Sequence, residues 1–468
     1  MFQPMNFQGE SGLLNGHLFQ KLILLKIFEI WLPFEKYLNG LVLRIIPDVY
    51  WAPRITVMIA SCILLIAFFF IVYLIFEDLK VSFVSALWIV CHPWYAWLSG
   101  TPMLEMYYLS FLFVGLVFLF YWLKTLNNSL LFWAGVSFLF ASGFHVQSWV
   151  YINSIIILTV AFYIHRNKLN TLTLGWLTGF LFLSNLFILS YEIFELITKG
   201  SLFAFLQGHT NYSKIFYGGY NVSLLDKLLY YPFLIIQNIS PVSWILIITA
   251  LFLLWRQAEL KFRWFPFSLC VVTLIINSIM NVFSVPATAA PGRYSIFFVL
   301  QLAPYISYTV VLPIANPSGI TKYYRVIGTI LFLLAILGST NKIYEFPNGM
   351  SNDAIQVGKF IKSRLDSITS DKIGYMVELK YWDFLGIELM AQHYDKRYYD
   401  REYDVYNRNT PSIFLQEQEV ICRTLSNHYI RIVALFNEEL RIKANTLKCL
   451  RKVKTIGDWA IYQYVPDS

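Results

Sequence analysis

The chain has 468 residues, 57% hydrophobic and 18% aromatic, with only 14% charged and a net charge of +8. Soluble domains carry about a quarter charged residues, so charge this sparse, set between long apolar runs, excludes a soluble globular protein and indicates a polytopic membrane protein. The basic balance does not point to nucleic acid, because the positive residues sit mostly in short loops between apolar runs, where they act as a topology signal.

Met1 to Gly16 is too polar to insert and shows no cleavable signal. Within it, Asn6-Phe7-Gln8-Gly9-Glu10-Ser11-Gly12 is a polar turn with one acid. Flanking glycines let the backbone approach a ligand. Glu10 is therefore a candidate catalytic carboxylate, against the alternative of an acid solvated in a terminal loop. Leu18 to Leu32 is apolar but carries Lys21, Lys26 and Glu29, which predicts an interfacial amphipathic helix. Lys36 follows it, where a lysine snorkels to lipid headgroups.

The first full span is Arg54 to Phe76. Further apolar runs follow at Val81 to Leu98, Met106 to Leu123, Leu130 to Ala141, Trp149 to Ile164 and Leu172 to Tyr191. Four more lie at Pro241 to Trp255, Trp264 to Phe283, Tyr294 to Ile314 and Tyr323 to Leu337. The length rule makes this roughly ten spans. Leu130 to Ile164 reads either as one kinked helix or as two half-length ones around Gly143-Phe144-His145. With Arg54 to Phe76 running inward, the inner connections carry Lys80, Lys124, Arg166, Lys168, Arg256, Lys261, Arg263, Lys322 and Arg325. The short outer connections carry only Arg293. The positive-inside rule then places both termini outside.

Acids deep in spans mark transport paths, and these spans are nearly free of them, which favours an enzyme at the membrane surface over a proton-coupled transporter. Glu105 sits at a loop–helix junction after Thr101-Pro102. Arg293-Tyr294 opens a span from its outer end after Pro291-Gly292. An Arg there suits either a phosphate, which its planar fork matches, or a lipid headgroup. His145, at an outer turn, reads more readily as a local hydrogen-bonding residue than as a catalyst. In the long outer loop Glu192 to Ser240, His209 and Tyr217 lie in segments mixing aromatics, glycines and polar groups. Such a loop can stack on sugar faces or serve as a lid.

From Asn341 the charges become dense and mixed, as on a soluble surface. Asp353 to Leu365 reads as an amphipathic helix, and Ile373 to Val377, Ile432 to Leu435 and Trp459 to Tyr464 read as strands. The expected organisation is a first extracytoplasmic loop with an interfacial helix (1–53), a transmembrane core (54–340) and a small extracytoplasmic α/β domain (341–468). Cys62, Cys91 and Cys270 fall in apolar runs as packing residues. Cys422 and Cys449 are in the tail and would be free to pair if it is extracytoplasmic.

Several of these short segments share one resemblance: Glu10 well upstream of Ala52-Pro53-Arg54, Phe34-Glu35-Lys36, the Pro-containing Trp88 to Ser99, Glu105, Arg293-Tyr294, and the ending Gly457-Asp458-Trp459-Ala460-Ile461-Tyr462. Together they resemble a GT-C membrane glycosyltransferase of the protein O-mannosyltransferase and aminoarabinose transferase kind, with an Rgt-like domain. That resemblance implies an all-α polytopic body of GT-C type and a polyprenyl-phosphate sugar donor. The acceptor would be a glycan, lipid or protein, and the site would lie extracytoplasmically among membrane lipids. It implies Glu10 and Glu105 as catalytic acids and Lys36, Arg293 and Tyr294 as ligands of the donor phosphate. His145, His209 and Tyr217 are candidate substrate contacts. Glu10 would act as general base, and in-line attack predicts inversion at the sugar. No nucleotide cofactor is implied; a divalent metal stays open, with no ligand set for one in the sequence. The family has a transmembrane helix ahead of its acidic loop, so one more apolar helix is expected upstream of Met1. A flippase of lipid-linked sugars is the rival class, needing the same headgroup contacts but no base.

Overall fold

A computed structural model of the chain describes residues 32–48, 50–166, 171–202, 223–256, 261–283, 292–311, 321–340, 351–367, 373–380, 383–393, 396–401 and 411–465. They fall into two compact units, one made of 32–47 and 51–340, the other of 351–465 with Asp48 and Tyr50.

The first unit is helical. It opens on α1 (Phe34–Ile45), a short amphipathic helix that buries Asn39 and exposes Lys36, Tyr37, Leu41 and Ile45. The interfacial helix expected over Leu18 to Leu32 lies, except for Leu32, outside the described residues; an amphipathic helix, α1, follows it. Among the described residues, six helices are long and apolar enough to cross a membrane. They are α2 (Trp51–Phe76), α5 (Leu104–Thr125), α7 (Gln147–Arg166), α8 (Thr171–Lys199), α11 (Phe265–Val282) and α12 (Ile296–Val311). α12 is entered through the 3-10 turn Gly292–Ser295. Two bent pairs raise the number to eight: α3 (Leu79–Cys91) with α4 (Pro93–Gly100), bent by 68°, and α9 (Leu224–Asn238) with α10 (Pro241–Trp255), bent by 103°. Each second half begins with proline in its first turn, where the missing N–H costs the helix nothing but cannot continue the preceding one. The helices α6 (Ser129–Ser142) and α13 (Thr321–Thr340), the latter apolar over Val326–Ser339, occupy the remaining expected positions, and the Leu130 to Ile164 stretch is two helices, α6 and α7.

The chain is a multi-pass membrane protein. α2 is apolar all round, exposing Met58, Ile59, Ile66 and Phe70 while burying Val57, Leu64 and Phe68, as a lipid-facing span must. α12 lies at the centre of its unit, with 94% of its span buried.

The second unit is a mixed sheet with helices α14 (Asn352–Asp366), α15 (Asp383–Ala391), α16 (Gln418–Asn427) and α17 (Glu438–Thr446). Its strands are β1 (Gly374–Val377), β2 (Arg397–Tyr399), β3 (Ile430–Leu435), β4 (Leu450–Ile456) and β5 (Trp459–Tyr464), in the order β2-β1-β3-β5-β4. β2, β1 and β3 are parallel; β5 runs antiparallel to β3 and β4. Alternation sends Tyr375, Val377, Ile432, Ala434 and Ile461 to a core with Val357 and Ile361 of α14. Met376, Val433, Leu435 and Tyr462 go to a second core with Ile421 and Leu425 of α16. Cys422 and Cys449 form a disulfide, with Cα atoms 6.0 Å apart.

Candidate active site

Three segments bring polar groups together at one end of the helical unit: the start of α5, the turn before α7, and the turn that opens α12. Glu105 is in the first turn of α5, where the free N–H groups of a helix favour negative charge. It is 1% exposed. Arg293 Nε lies 2.5 Å from Glu105 Oε1. The contact is an ion pair without an aligned N–H···O bond from Nε. The Arg293 side chain is one-fifth exposed, and its guanidinium carbon stands 5.4 Å from the centre of the Tyr294 ring.

Tyr294 continues the network. Its hydroxyl lies 3.4 Å from His145 Nε2. The backbone N–H of Gln147 donates to His145 Nδ1 at 3.1 Å, so Nδ1 holds no proton and the Nε2–H of the neutral ring donates to Tyr294. Tyr108, one turn along α5 from Glu105, stacks on the His145 ring at 5.5 Å and donates to Gln147 Oε1 at 3.4 Å. Glu105, Arg293, Tyr294, His145 and Tyr108 thus form one buried chain of contacts drawn from three distant parts of the sequence.

α1 docks beside it. The Phe34 N–H donates to the Gly143 carbonyl at 3.3 Å, and the Phe34 ring fills the place of a side chain at Gly143: a Cβ there would fall 2.3 Å from the ring. Asn39 donates to Glu35, and the Tyr107 hydroxyl lies 3.2 Å from both Asn39 Oδ1 and the Pro53 carbonyl oxygen. Burial pushes the Glu35 carboxyl above its ordinary range, against the opposing pull of Asn39 and of the Lys36 charge. Lys36 itself is exposed on α1, and among the described residues it does not join the Glu105–Arg293 chain.

Of the sequence candidates, Glu105, Arg293, Tyr294 and His145 are therefore brought together, and Lys36 stands apart. Glu10, His209 and Tyr217 lie outside the described residues. Glu35 and Tyr108 were not singled out from sequence. The signal for Glu35 was present in its i, i+4 spacing with Asn39, and for Tyr108 in its i, i+3 spacing from Glu105. Among the described residues, no group of three or more His, Cys, Asp or Glu is placed to hold a metal ion.

No family model matches the chain, and no curated protein matches it. Among solved structures it is similar to ArnT from Cupriavidus metallidurans in the apo state, with a TM-score of 0.54 and 10% identity over 93% of this chain and 88% of that one. It also matches the Archaeoglobus fulgidus oligosaccharyltransferase in the apo form, with a TM-score of 0.49 and 9% identity over 87% of this chain and 62% of that one. Archaeal oligosaccharyltransferase AglB from Archaeoglobus fulgidus, in complex with an inhibitory peptide and a dolichol-phosphate, matches with a TM-score of 0.45 and 10% identity over 87% of this chain and 61% of that one. ArnT is an aminoarabinose transferase, and both proteins are GT-C glycosyltransferases. Over nearly its whole length, the chain has the fold of ArnT.

Proposed function

We propose that the protein is an integral membrane glycosyltransferase. It moves a sugar from a polyprenyl-phosphate donor to an acceptor hydroxyl on the extracytoplasmic side, with inversion at the sugar. The observation that carries this reading is the buried Glu105–Arg293 pair at the end of a central span, in a chain with the fold of ArnT. Buried charge in a membrane protein is expensive and marks functional positions.

The chemistry assigns each residue a task. Glu10 takes the proton of the acceptor hydroxyl. The acceptor oxygen attacks the anomeric carbon as the bond from that carbon to the phosphate oxygen breaks, and the electron pair leaves with the lipid phosphate. Arg293, with Lys36 at the membrane edge, stabilises that growing negative charge. Glu105, buried and committed to an ion pair with Arg293, serves here to hold and aim the guanidinium. Tyr294 and His145 line the same place, and His209 and Tyr217 of the outer loop would meet the acceptor.

Two features support the orientation. The loop charge bias favours an outward site. The Cys422–Cys449 disulfide belongs to an oxidising compartment, which suits residues 341–468 as an extracytoplasmic domain. Residues 1–53 would then contribute the acid-bearing loop and 54–340 the transmembrane core. The test is transfer of labelled sugar from a defined polyprenyl-phosphate donor by the purified full chain. Movement of the donor across proteoliposome membranes without transfer would make the protein a flippase instead.

A further inference from the structure

The two bent helix pairs meet at their breaks, and the residue that joins them is Asn238. It is the last residue of α9 and is buried. Its Oδ1 accepts from the indole N–H of Trp94. Its Nδ2–H donates to the Leu234 carbonyl at 2.7 Å. Its own carbonyl, one of those left open at the end of α9, accepts from His92 Nε2–H at 3.1 Å. His92 and Trp94 flank the break between α3 and α4. A broken helix at membrane depth leaves backbone groups that must find partners within the protein. Here each break supplies partners to the other.

The turn that carries Arg293 rests on this junction. A Cβ at Gly292 would fall 2.7 Å from Cζ2 of the Trp94 ring and 3.5 Å from Asn238 Oδ1. Only a glycine lets the backbone lie this close to the indole. The next residue along is Arg293, whose side chain reaches Glu105. The position of the guanidinium is therefore set from below by Trp94, and the indole is set by Asn238.

We infer that Asn238 and Trp94 are positioning residues that fix the two broken spans to each other and, through Gly292, hold Arg293 against Glu105. The functional consequence rests on the phosphate role proposed for Arg293; the positional one does not. Trp94→Phe keeps a large ring but removes the N–H, and Asn238→Leu removes both side-chain hydrogen bonds. Either change frees the floor of the Arg293 turn.

The test is the rate at which phenylglyoxal modifies Arg293 in the purified full chain, followed by peptide mass spectrometry, with Arg263 in the same sample as an internal reference. Loss of the Trp94–Asn238 hydrogen bond, the one common to both variants, predicts a rise in Arg293 reactivity of roughly 2- to 10-fold in each. Arg263 should be unchanged, and Lys124→Ala, at the opposite end of α5, should leave both rates as in the original chain. A general loosening of the fold would raise the two arginines together and would overturn the inference. So would an unchanged Arg293 rate in folded Trp94→Phe, a variant that keeps the test valid even if Asn238→Leu fails to fold. A polyprenyl phosphate added to the unsubstituted chain separates the two levels. If it fails to protect Arg293, the phosphate reading falls, while a faster rate in the variants still establishes the clamp.

Discussion

The helical unit carries an ion pair at each end of α5, and the two are built in opposite ways. At one end Lys124 meets Glu77 at 2.6 Å with the side chains 32% and 71% exposed. At the other Arg293 meets Glu105 at 2.5 Å with 20% and 2% exposed. The first is a surface pair, worth about 0–1 kcal/mol because water and salt screen it. The second has left water on one side entirely, so removing either partner strands a charge. The far end also holds Arg263, which donates to the Phe76 carbonyl at 3.0 Å and the Tyr308 hydroxyl at 3.2 Å. That arginine closes the end of α2 and needs no ligand to explain it. Arg293 differs in pairing with a buried acid, Glu105, within a chain of polar side chains.

The comparison is broken most directly at Arg293. Arg293→Ala should destabilise the protein by about 3–5 kcal/mol, read as a fall in thermal unfolding temperature, because Glu105 is left buried and uncompensated. Adding Glu105→Gln should recover much of that loss. An unchanged melting temperature in the single variant would mean that the carboxylate is not buried as described. Next in size is Gly143→Ala, which forces the Phe34 ring away and should cost about 1–3 kcal/mol through overpacking. Its expected signature in limited proteolysis is release of α1 with the remaining helices intact.

Tyr294→Phe removes only the hydroxyl that accepts from His145, so a change of about 0.5–1.5 kcal/mol is expected by thermal unfolding. No measurable loss would mean that the ring, which phenylalanine keeps, and not the hydroxyl carries the contact. Smallest is Lys124→Ala, at about 0–1 kcal/mol. Its pH dependence has a definite sign. Hydrogen bonding and charge from Lys124 lower the Glu77 carboxyl below its ordinary 4.5. The pair therefore contributes fully above that value and fades as pH falls through the lowered one. Glu35 runs the other way: burial raises its carboxyl, so its contribution is full below 4.5 and fades as pH rises through the raised value. Melting curves of Lys124→Ala and Glu35→Gln across acid pH should separate in opposite directions from the unsubstituted chain.

The helices were legible because lipid demands long apolar runs, and each of the ten expected positions overlaps a described helix. The bends were not, since Pro93 and Pro241 look alike whether they start a helix or break one. Glu105, Arg293 and His145 each stood out as polar residues at span ends. That they share one site was implied only by the family resemblance and not by spacing, because it depends on which span ends converge. Asn238 was hidden for the same reason: its importance lies in contacts to His92 and Trp94, far away along the chain. In the second unit the buried strands β1, β3 and β5 were readable, whereas β4 carries Arg451, Lys452 and Lys454 on an edge and gives a mixed signal, and β2 is three residues long.

The central claim is that Arg293 meets the phosphate of a lipid-linked sugar during transfer. The decisive measurement is steady-state transfer from a defined polyprenyl-phosphate sugar, comparing the unsubstituted chain with Arg293→Ala and Arg293→Lys in preparations shown to be folded. Losing a charged contact to the leaving phosphate should cost about 2–4 kcal/mol, or roughly 30- to 1000-fold in rate, with only partial recovery in the lysine variant because it lacks the bidentate fork. Transfer at the original rate by folded Arg293→Ala would contradict the account, and Arg293 would then be a structural partner of Glu105 and nothing more.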